Sequence, residues 1–204
     1  DVRSKSETYT QQGNITVTNT DLFQLPAGSV GFAGLLEVGN QLWDNPVDPR
    51  ITAGEFWGTG GTSGHGTRDR QAVAAEFNVP IFSKLTADAS IRYDNYNAGG
   101  NSQGKATYKL GLEFRPIDTL LLRSNYATAF RAPDMGYLFS TGSSFFTSVQ
   151  DTYNCRKTNG DNYTVCDAPY DTVGIQGFQN GNKDLKYITA KSWGYGVVWS
   201  PLTN

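Results

Sequence analysis

The chain has 204 residues, enough for one or two domains, and its 17 basic and 19 acidic side chains leave a formal net charge of −2. This near balance, without a cluster of Lys and Arg, excludes an extended nucleic-acid-binding surface. Aromatic residues make up 13% of the chain and Gly contributes 23 residues, whereas Met and His occur once each. That composition favours β-strands joined by loops over packed helices.

Alternation of apolar and polar residues predicts seven β-strands. The first three segments alternate imperfectly, and Asn19 and Asp21 interrupt the apolar face of the first. A period of two gives each strand one apolar and one polar face. No segment has the 3.6-residue period of an amphipathic helix, so no helix is predicted. In chain order the segments are residues 14–25, 30–38, 73–79, 85–95, 106–114, 120–128 and 192–200.

The polar faces of these strands carry charge. The charged residues predicted to point to the inside are Asp88, Arg92, Asp94, Lys109, Glu113 and Arg123. A soluble barrel fills its inside with apolar side chains, whereas the water-filled lumen of a membrane barrel accommodates charges. Charged inward faces therefore favour a membrane barrel, in which these residues line the substrate path, meet another domain or are simply solvated. Alternation alone also fits a soluble β-sandwich.

The connections between the predicted strands differ in length. Short turns with a proline follow residues 25, 79, 114 and 199, and each proline is expected to end its strand. Longer connections are expected at about 43–70, 96–104 and 129–186. Short turns at one end and long loops at the other are typical of an antiparallel up-and-down transmembrane β-barrel.

Several motifs resemble those of the TonB-dependent receptors. In that family a barrel strand ends in Phe-Arg-Ala-Pro before a long outer loop, and Tyr126 is followed here by Phe130, Arg131, Ala132 and Pro133 in that arrangement. The turn Leu-Pro-Ala-Gly at 25–28 and the run Arg-Pro at 115–116 are also similar. The segment Gly-Asn-Lys-Asp-Leu-Lys at 181–186 stands where the family has Gly-Asn-Pro-x-Leu-Lys-Pro-Glu, with both prolines and the glutamate replaced. The resemblance covers nearly the whole chain from about residue 14.

The resemblance implies an all-β fold, with 1–204 forming about seven strands of a barrel of roughly 22. It implies a receptor in the Gram-negative outer membrane that contacts lipid and imports a scarce nutrient with energy from TonB. The nutrient would be a siderophore, haem, cobalamin or an oligosaccharide, and neither a cofactor nor catalysis is expected. The family's plug domain and its TonB-contacting segment are not in this sequence, which begins at Asp1 without an initiator Met, so a processed protein or a fragment is expected.

Aromatic residues in the predicted outer loops are the candidate substrate contacts, because flat rings stack on sugars and planar ligands. They are Trp43, Trp57, Tyr137, Phe139, Phe145, Phe146, Tyr153, Tyr163 and Tyr170. Several of them are alternatively expected to pack the long loop against itself. Phe130, Arg131, Ala132 and Pro133 are expected mainly to tie down and end a strand.

The two cysteines, Cys155 and Cys166, are predicted to close a small loop by a disulfide, since no His lies near them to complete a metal site. No nucleophile elbow or spaced His cluster supports a hydrolase. The other function considered is a soluble or surface-anchored β-rich module, such as an adhesin or a carbohydrate-binding domain, that uses the same loop aromatics.

Overall fold

A computed structural model describes residues 3–53, 55–56, 61–160 and 166–201. The strands are β1 (Glu7–Leu25), β2 (Gly28–Asn45), β3 (Ser63–Phe82), β4 (Leu85–Ala98), β5 (Asn101–Ile117), β6 (Leu120–Arg131), β7 (Ser140–Thr141), β8 (Ser143–Val149), β9 (Val173–Gln179) and β10 (Ile188–Trp199). The helices are α1 (Pro49–Thr52), α2 (Met135–Phe139) and α3 (Thr152–Asn159). None of the helices in the described ranges is long and apolar enough to cross a membrane.

Seven long strands form one antiparallel sheet in the order β1-β2-β3-β4-β5-β6-β10. Each strand pairs with its neighbour in sequence, except that β10 returns to β6 after the long loop. The sheet is an open wall with β1 and β10 at its two edges. The predicted all-β, up-and-down architecture of about seven strands is therefore confirmed.

The strand register gathers the apolar side chains on one face of the wall. Ile15 lies opposite Leu36, Leu36 opposite Val73, and Val73 opposite Tyr93. In an antiparallel sheet, paired residues point to the same side, so these four form one exposed apolar row. The neighbouring row, which includes Glu37 and Asp94, belongs to the opposite, polar face.

The interruption of the apolar pattern in the first strand coincides with a break in pairing. The register of β1 against β2 shifts between Asn19 and Phe23. At that point the side-chain oxygen of Asn19 accepts a hydrogen bond from the backbone N–H of Asp21 at 2.9 Å. The shift inserts two extra residues into β1 and leaves Phe23 on the same face as Ile15, so the polar residues interrupt the apolar pattern without ending the strand.

Two prolines lie inside strands, and the prediction that they end those strands is wrong. Pro80 belongs to β3 and Pro116 to β5, each at a register irregularity, and the turns follow at 83–84 and 118–119. Proline lacks the N–H that a regular ladder needs, and a bulge is a place where that donor is not required. Pro26 does lie in its turn, and Pro201 follows β10.

Two of the observed loops are shorter than the predicted ones. The strands extend to Asn45 and resume at Ser63, and the connection expected at 96–104 is a two-residue turn. Gly99 and Gly100 occupy that turn with φ of +58° and +89°. Positive φ at both central residues is the geometry of a type I′ hairpin, which Gly adopts without steric cost.

The expectation of no helix is also wrong, because the long connection at 129–186 contains secondary structure of its own. That connection contains α2, the short strand β7, the separate hairpin β8–β9 and α3. The helices have four, five and eight residues. Such short helices complete too few turns for a 3.6-residue apolar period to stand out from the sequence.

Candidate functional site

Four charged residues on the polar face form a closed network across β2, β3 and β4. Arg70 Nη1 lies 2.8 Å from Glu37 Oε1, and Arg70 Nη2 lies 2.9 Å from Asp94 Oδ1. Arg92 Nε lies 2.9 Å from Asp94 Oδ2, and Arg92 Nη2 lies 3.2 Å from Glu37 Oε1. The side chains of Glu37 and Asp94 are only 8% and 2% exposed. This upper cluster therefore balances its own charges and does not need an outside partner.

A second set of charges lies nearer the tight turns at 83–84 and 118–119. This lower cluster, Asp88, Lys109, Glu113 and Arg123, borders an open depression of about 410 Å³. Glu113 lies directly opposite Arg123 in the register, and Asp88 accepts a hydrogen bond from Asn78 Nδ2 at 2.8 Å. Within the described residues, no ion pair joins the four. The sequence predicted all six charged positions alike, and the structure divides them into two environments.

Glycines on β10 leave room for the side chains beside the lower cluster. A Cβ placed on Gly194 would lie 2.8 Å from Asn125 Nδ2, and one placed on Gly196 would lie 3.0 Å from Arg123 Nε. Both glycines therefore allow the polar side chains of β6 to lie flat against the wall, and the depression stays open.

The long loop between β6 and β10 is packed onto the end of β3. The short strand β7 pairs with β3, and the ring of Phe139 covers Gly66 so closely that a Cβ there would lie 2.2 Å from Phe139 Cγ. Trp43 packs against Gly64 in the same way, since a Cβ on that glycine would lie 2.5 Å from Trp43 Cζ3. Phe139 is 9% exposed. Phe139, a predicted ligand contact, thus anchors the loop, whereas Trp43 packs mainly on the wall and approaches the loop at Gly136, where a Cβ would lie 3.7 Å from Trp43 Cζ2.

Both ends of the loop are also hydrogen-bonded to the wall. Arg68 donates to the carbonyl of Pro133 at 2.6 Å and to Gln41 Oε1 at 2.6 Å. At the other end, Gln103 Nε2 donates to the carbonyl of Leu185 at 3.0 Å, and the Tyr187 hydroxyl donates to the carbonyl of Gln103. The loop therefore begins and ends at defined positions on the polar side of the strands.

Aromatic rings fill the space between these two anchors. Phe130 contacts Tyr187 with ring centroids 4.9 Å apart and meets Tyr96 edge-on at 6.2 Å, while the guanidinium of Arg68 lies 5.1 Å above the Tyr96 ring. Burial, followed by the nearby Tyr96, raises the pKa of Tyr187 to about 12. Phe130 and Pro133 of the strand-end motif are accordingly packing and anchoring residues in the structure.

The loop carries its own small hairpin outside the wall. The register of β8 with β9 puts Phe146 and Phe178 on one face, where they are 69% and 74% exposed. Phe145, on the other face, is 45% exposed. Phe178 was not among the predicted contacts. The sequence signal for Phe178 was its position as an aromatic residue within the predicted outer loop at 129–186.

Next to the hairpin, α3 is capped and covalently fixed. Asp151 Oδ1 accepts a hydrogen bond from the backbone N–H of Asn154 at 3.0 Å, and this bond lowers the pKa of the Asp151 carboxyl. Cys155 and Cys166 form a disulfide with their Cα atoms 5.6 Å apart. The disulfide ties α3 to the chain that leads into β9.

The remaining predicted aromatics are divided by their exposure. Tyr137 and Tyr153 are 59% and 76% exposed, and Tyr170 is partly buried beside α3, where its carbonyl accepts the N–H of Asp151 at 3.0 Å. Trp57 and Tyr163 lie outside the described residues. The open aromatic rings of the described loop therefore lie on the β8–β9 hairpin, on α2 and on α3.

The other residues of the strand-end motif also separate in space. Tyr126 stacks between Tyr108 and Trp193 on the apolar face, with centroid distances of 5.8 and 4.4 Å. Arg131 donates to Asp134 Oδ2 at 2.6 Å and borders, with Ala132, a cavity of about 450 Å³ under the loop. In the described part of the chain, no group of three His, Cys, Asp or Glu residues is arranged to hold a metal ion.

Comparison with known protein families matches the chain to the "TonB dependent receptor-like, beta-barrel" family over residues 1–204. Comparison with the curated proteins and with the solved structures returned no match. The family match spans every strand of the wall and agrees with its antiparallel order and its division into an apolar and a polar face. The chain belongs to the TonB-dependent receptor family and forms part of a β-barrel of the bacterial outer membrane.

Proposed function

We propose that this receptor captures a small-molecule nutrient with its extracellular loop region and imports it with energy coupled through TonB. Family membership makes the protein an outer-membrane transport receptor, and its family is one of transporters rather than of enzymes. The candidate nutrients are those with flat or sugar-like faces, namely siderophores, haem, cobalamin and oligosaccharides. The partners proposed for import are a plug domain and the TonB system.

The two faces of the wall support this orientation in a membrane. The apolar face carries exposed side chains such as Leu36, Ile91 and Leu110, which suit contact with lipid. The tight turns at 26–27, 83–84 and 118–119 share one end, which corresponds to the periplasmic end of such barrels. The loops at 46–62 and 132–187 then lie outside the cell. A soluble adhesin or carbohydrate-binding module is disfavoured because it would expose this apolar face to water.

The observation that carries the proposal is the set of exposed aromatic rings on an anchored loop. Phe146 and Phe178 are about three-quarters exposed, although their hairpin is regular and its loop is fixed to β3 by Phe139. An exposed aromatic pair costs solubility unless it binds something, and rings on a rigid scaffold bind flat ligands at a small entropic cost. Tyr137 and Tyr153 add two more open rings to the same loop.

Uptake by cells that produce the full-length receptor tests this proposal. We expect Phe146→Ala combined with Phe178→Ala to lower uptake of the nutrient at least about tenfold, because each lost stacking contact weakens binding by about 1 kcal/mol. Screening growth on iron chelates, haem, cobalamin and oligosaccharides identifies the nutrient. Tyr195→Leu is the matched control, since it removes a ring that is 94% exposed but lies on the lipid face.

Two results would count against the proposal. Uptake that persists unchanged in a host without TonB would exclude energy coupling through TonB. Unchanged uptake by the Phe146 and Phe178 double variant, at equal amounts of receptor in the outer membrane, would remove the hairpin from the binding site.

We also propose that the lower cluster faces the plug domain. Lys109, Glu113 and Arg123 point into the lumen, and no ion pair within the described chain satisfies them. Their charges suit a polar partner that fills the barrel. We expect Arg123→Glu to raise outer-membrane permeability to a large antibiotic, with Lys84→Glu at a periplasmic turn as the control. Equal permeability of the two variants would separate the lower cluster from the plug.

A further inference from the structure

We infer that the cavity between the loop and the outer ends of β6 and β10 binds the anionic group, a carboxylate or a phosphate, of a small ligand that also has an apolar part. The cavity measures about 450 Å³. It is separate from the exposed hairpin rings and from both charge clusters. Its lining comes from the strand end at 131–134, from α2, and from the segment 180–188 that leads into β10.

The charges around this cavity favour an anion. Arg131 and Lys186 supply two positive charges, and Asp134 supplies one negative charge. The ion pair between Arg131 Nη2 and Asp134 Oδ2, at 2.6 Å, leaves the Nε and Nη1 groups of Arg131 without a partner among the described residues. Lys186 is exposed and makes no hydrogen bond or ion pair within those residues. The remaining donors are of the type that binds a carboxylate or a phosphate in a forked geometry.

The position of Arg131 keeps its side chain available for a ligand. The side chain is 68% exposed although its backbone is in the strand ladder, where Arg131 pairs with Ile188. Asp134, which is itself 56% exposed, pairs with one nitrogen of the guanidinium, and an exposed ion pair of this kind contributes little energy. The anion would therefore compete with water and not with a buried partner.

The rest of the lining gives the ligand its second property. Pro133, Leu185 and Ile188 form an apolar wall, and Tyr137 adds an aromatic ring that is 59% exposed. Asn182 is held in place because its backbone N–H donates to the carbonyl of Tyr137 at 2.8 Å. An anion with an attached ring or short apolar chain fits this combination of two cations and one apolar side.

Fluorine NMR of the full-length receptor in detergent tests the site with trifluoromethylbenzoate as the anionic probe and its neutral amide as the matched control. We expect the benzoate to bind and the amide to bind roughly tenfold more weakly, as the loss of one charge-assisted contact predicts. Lys186→Gln and Arg131→Gln should each weaken benzoate binding about tenfold. Lys157→Gln, an equivalent change on α3, should leave it unchanged.

The same experiment distinguishes two sources of the anion. Displacement of the benzoate by lipopolysaccharide would assign the site to a lipid headgroup phosphate, whereas displacement by free phosphate or carboxylates alone would assign it to a soluble ligand. Equal binding of the benzoate and the amide, or unchanged binding by Lys186→Gln, would overturn the inference. These outcomes are independent of the proposed import, which the hairpin variants test separately.

Discussion

The upper and lower clusters each combine two acidic and two basic residues on the same face of the same sheet, yet their environments are opposite. In the upper cluster, Glu37 and Asp94 are buried and each contacts two guanidinium groups. In the lower cluster, Glu113 and Arg123 lie opposite each other in the register without an ion pair. A buried pair must be matched internally, because an isolated charge there is costly, while an open pair can stay solvated until a partner arrives.

The two clusters also differ in whether the long loop covers the wall beside them. Gly66, Arg68 and Arg70 follow one another on the polar face of β3, and the loop covers the first two through Phe139 and Pro133. The lower cluster has an open depression instead. The upper half of the lumen wall is thus built as a rigid support for the loop, and the lower half is available for contacts with another part of the receptor.

The largest expected effect comes from removing a shared carboxylate of the upper cluster. Asp94→Asn leaves Arg70 and Arg92 with Glu37 as their common partner, and we expect the free energy of unfolding to fall by about 3 kcal/mol. Denaturant titration of the full-length receptor in lipid vesicles measures this change. Asp88→Asn in the lower cluster is the control, with an expected loss below about 1 kcal/mol. Equal losses would abolish the distinction between the clusters.

Overpacking the contact between loop and wall should have the next largest effect. Gly66→Ala places a methyl group where the Phe139 ring lies, so Phe139 and α2 must move, at a cost of about 1–3 kcal/mol. Limited proteolysis should then cut the loop between β6 and β10 faster. Gly174→Ala in the hairpin, where a Cβ would meet nothing within 4 Å, should change stability by no more than about 0.5 kcal/mol. An intact, protected loop in Gly66→Ala would show that Phe139 does not anchor it.

Double-mutant cycles compare one ion pair from each cluster directly. Glu37→Gln with Arg92→Met should give a coupling energy of about 1–2 kcal/mol, because the two side chains are in contact and largely shielded from solvent. Glu113→Gln with Arg123→Met should give less than about 0.5 kcal/mol. A strong coupling in the second cycle would mean that the lower pair is closed in the membrane.

The smallest expected effect is a pH dependence at the loop anchor above the upper cluster. The pKa of Tyr187 is raised to about 12 by burial, so the unfolded chain, in which tyrosine ionises near 10, loses this proton first. The contribution of Tyr187 to the free energy of unfolding is therefore fully present below about pH 10 and is lost as the pH rises toward 12. Ultraviolet titration of Tyr187→Phe against the unsubstituted receptor should show one late-ionising tyrosine fewer. An unchanged titration curve would contradict the burial of this hydroxyl.

The sequence by itself determined the class of fold. Alternation in segments such as 85–95 and 106–114 requires strands with two unlike faces, whatever their partners, because side chains alternate along any strand. The strand-end motif at 126–133 indicated the receptor family together with the other family-like segments that follow in the same order along the chain. The disulfide could also be predicted from the sequence, since Cys155 and Cys166 are close in the chain and no His lies near them to complete a metal site.

Only the tertiary structure decided which side chains meet. Glu37 is 33 residues from Arg70 in the numbering, and their contact depends on a strand register that local sequence does not encode. Phe139 and Phe146 both looked like loop aromatics, but one is buried over Gly66 and the other is exposed on a hairpin. Burial, register and the folding of a long loop are set by contacts between distant segments, so the sequence pattern indicated which residues were available and the fold assigned their roles.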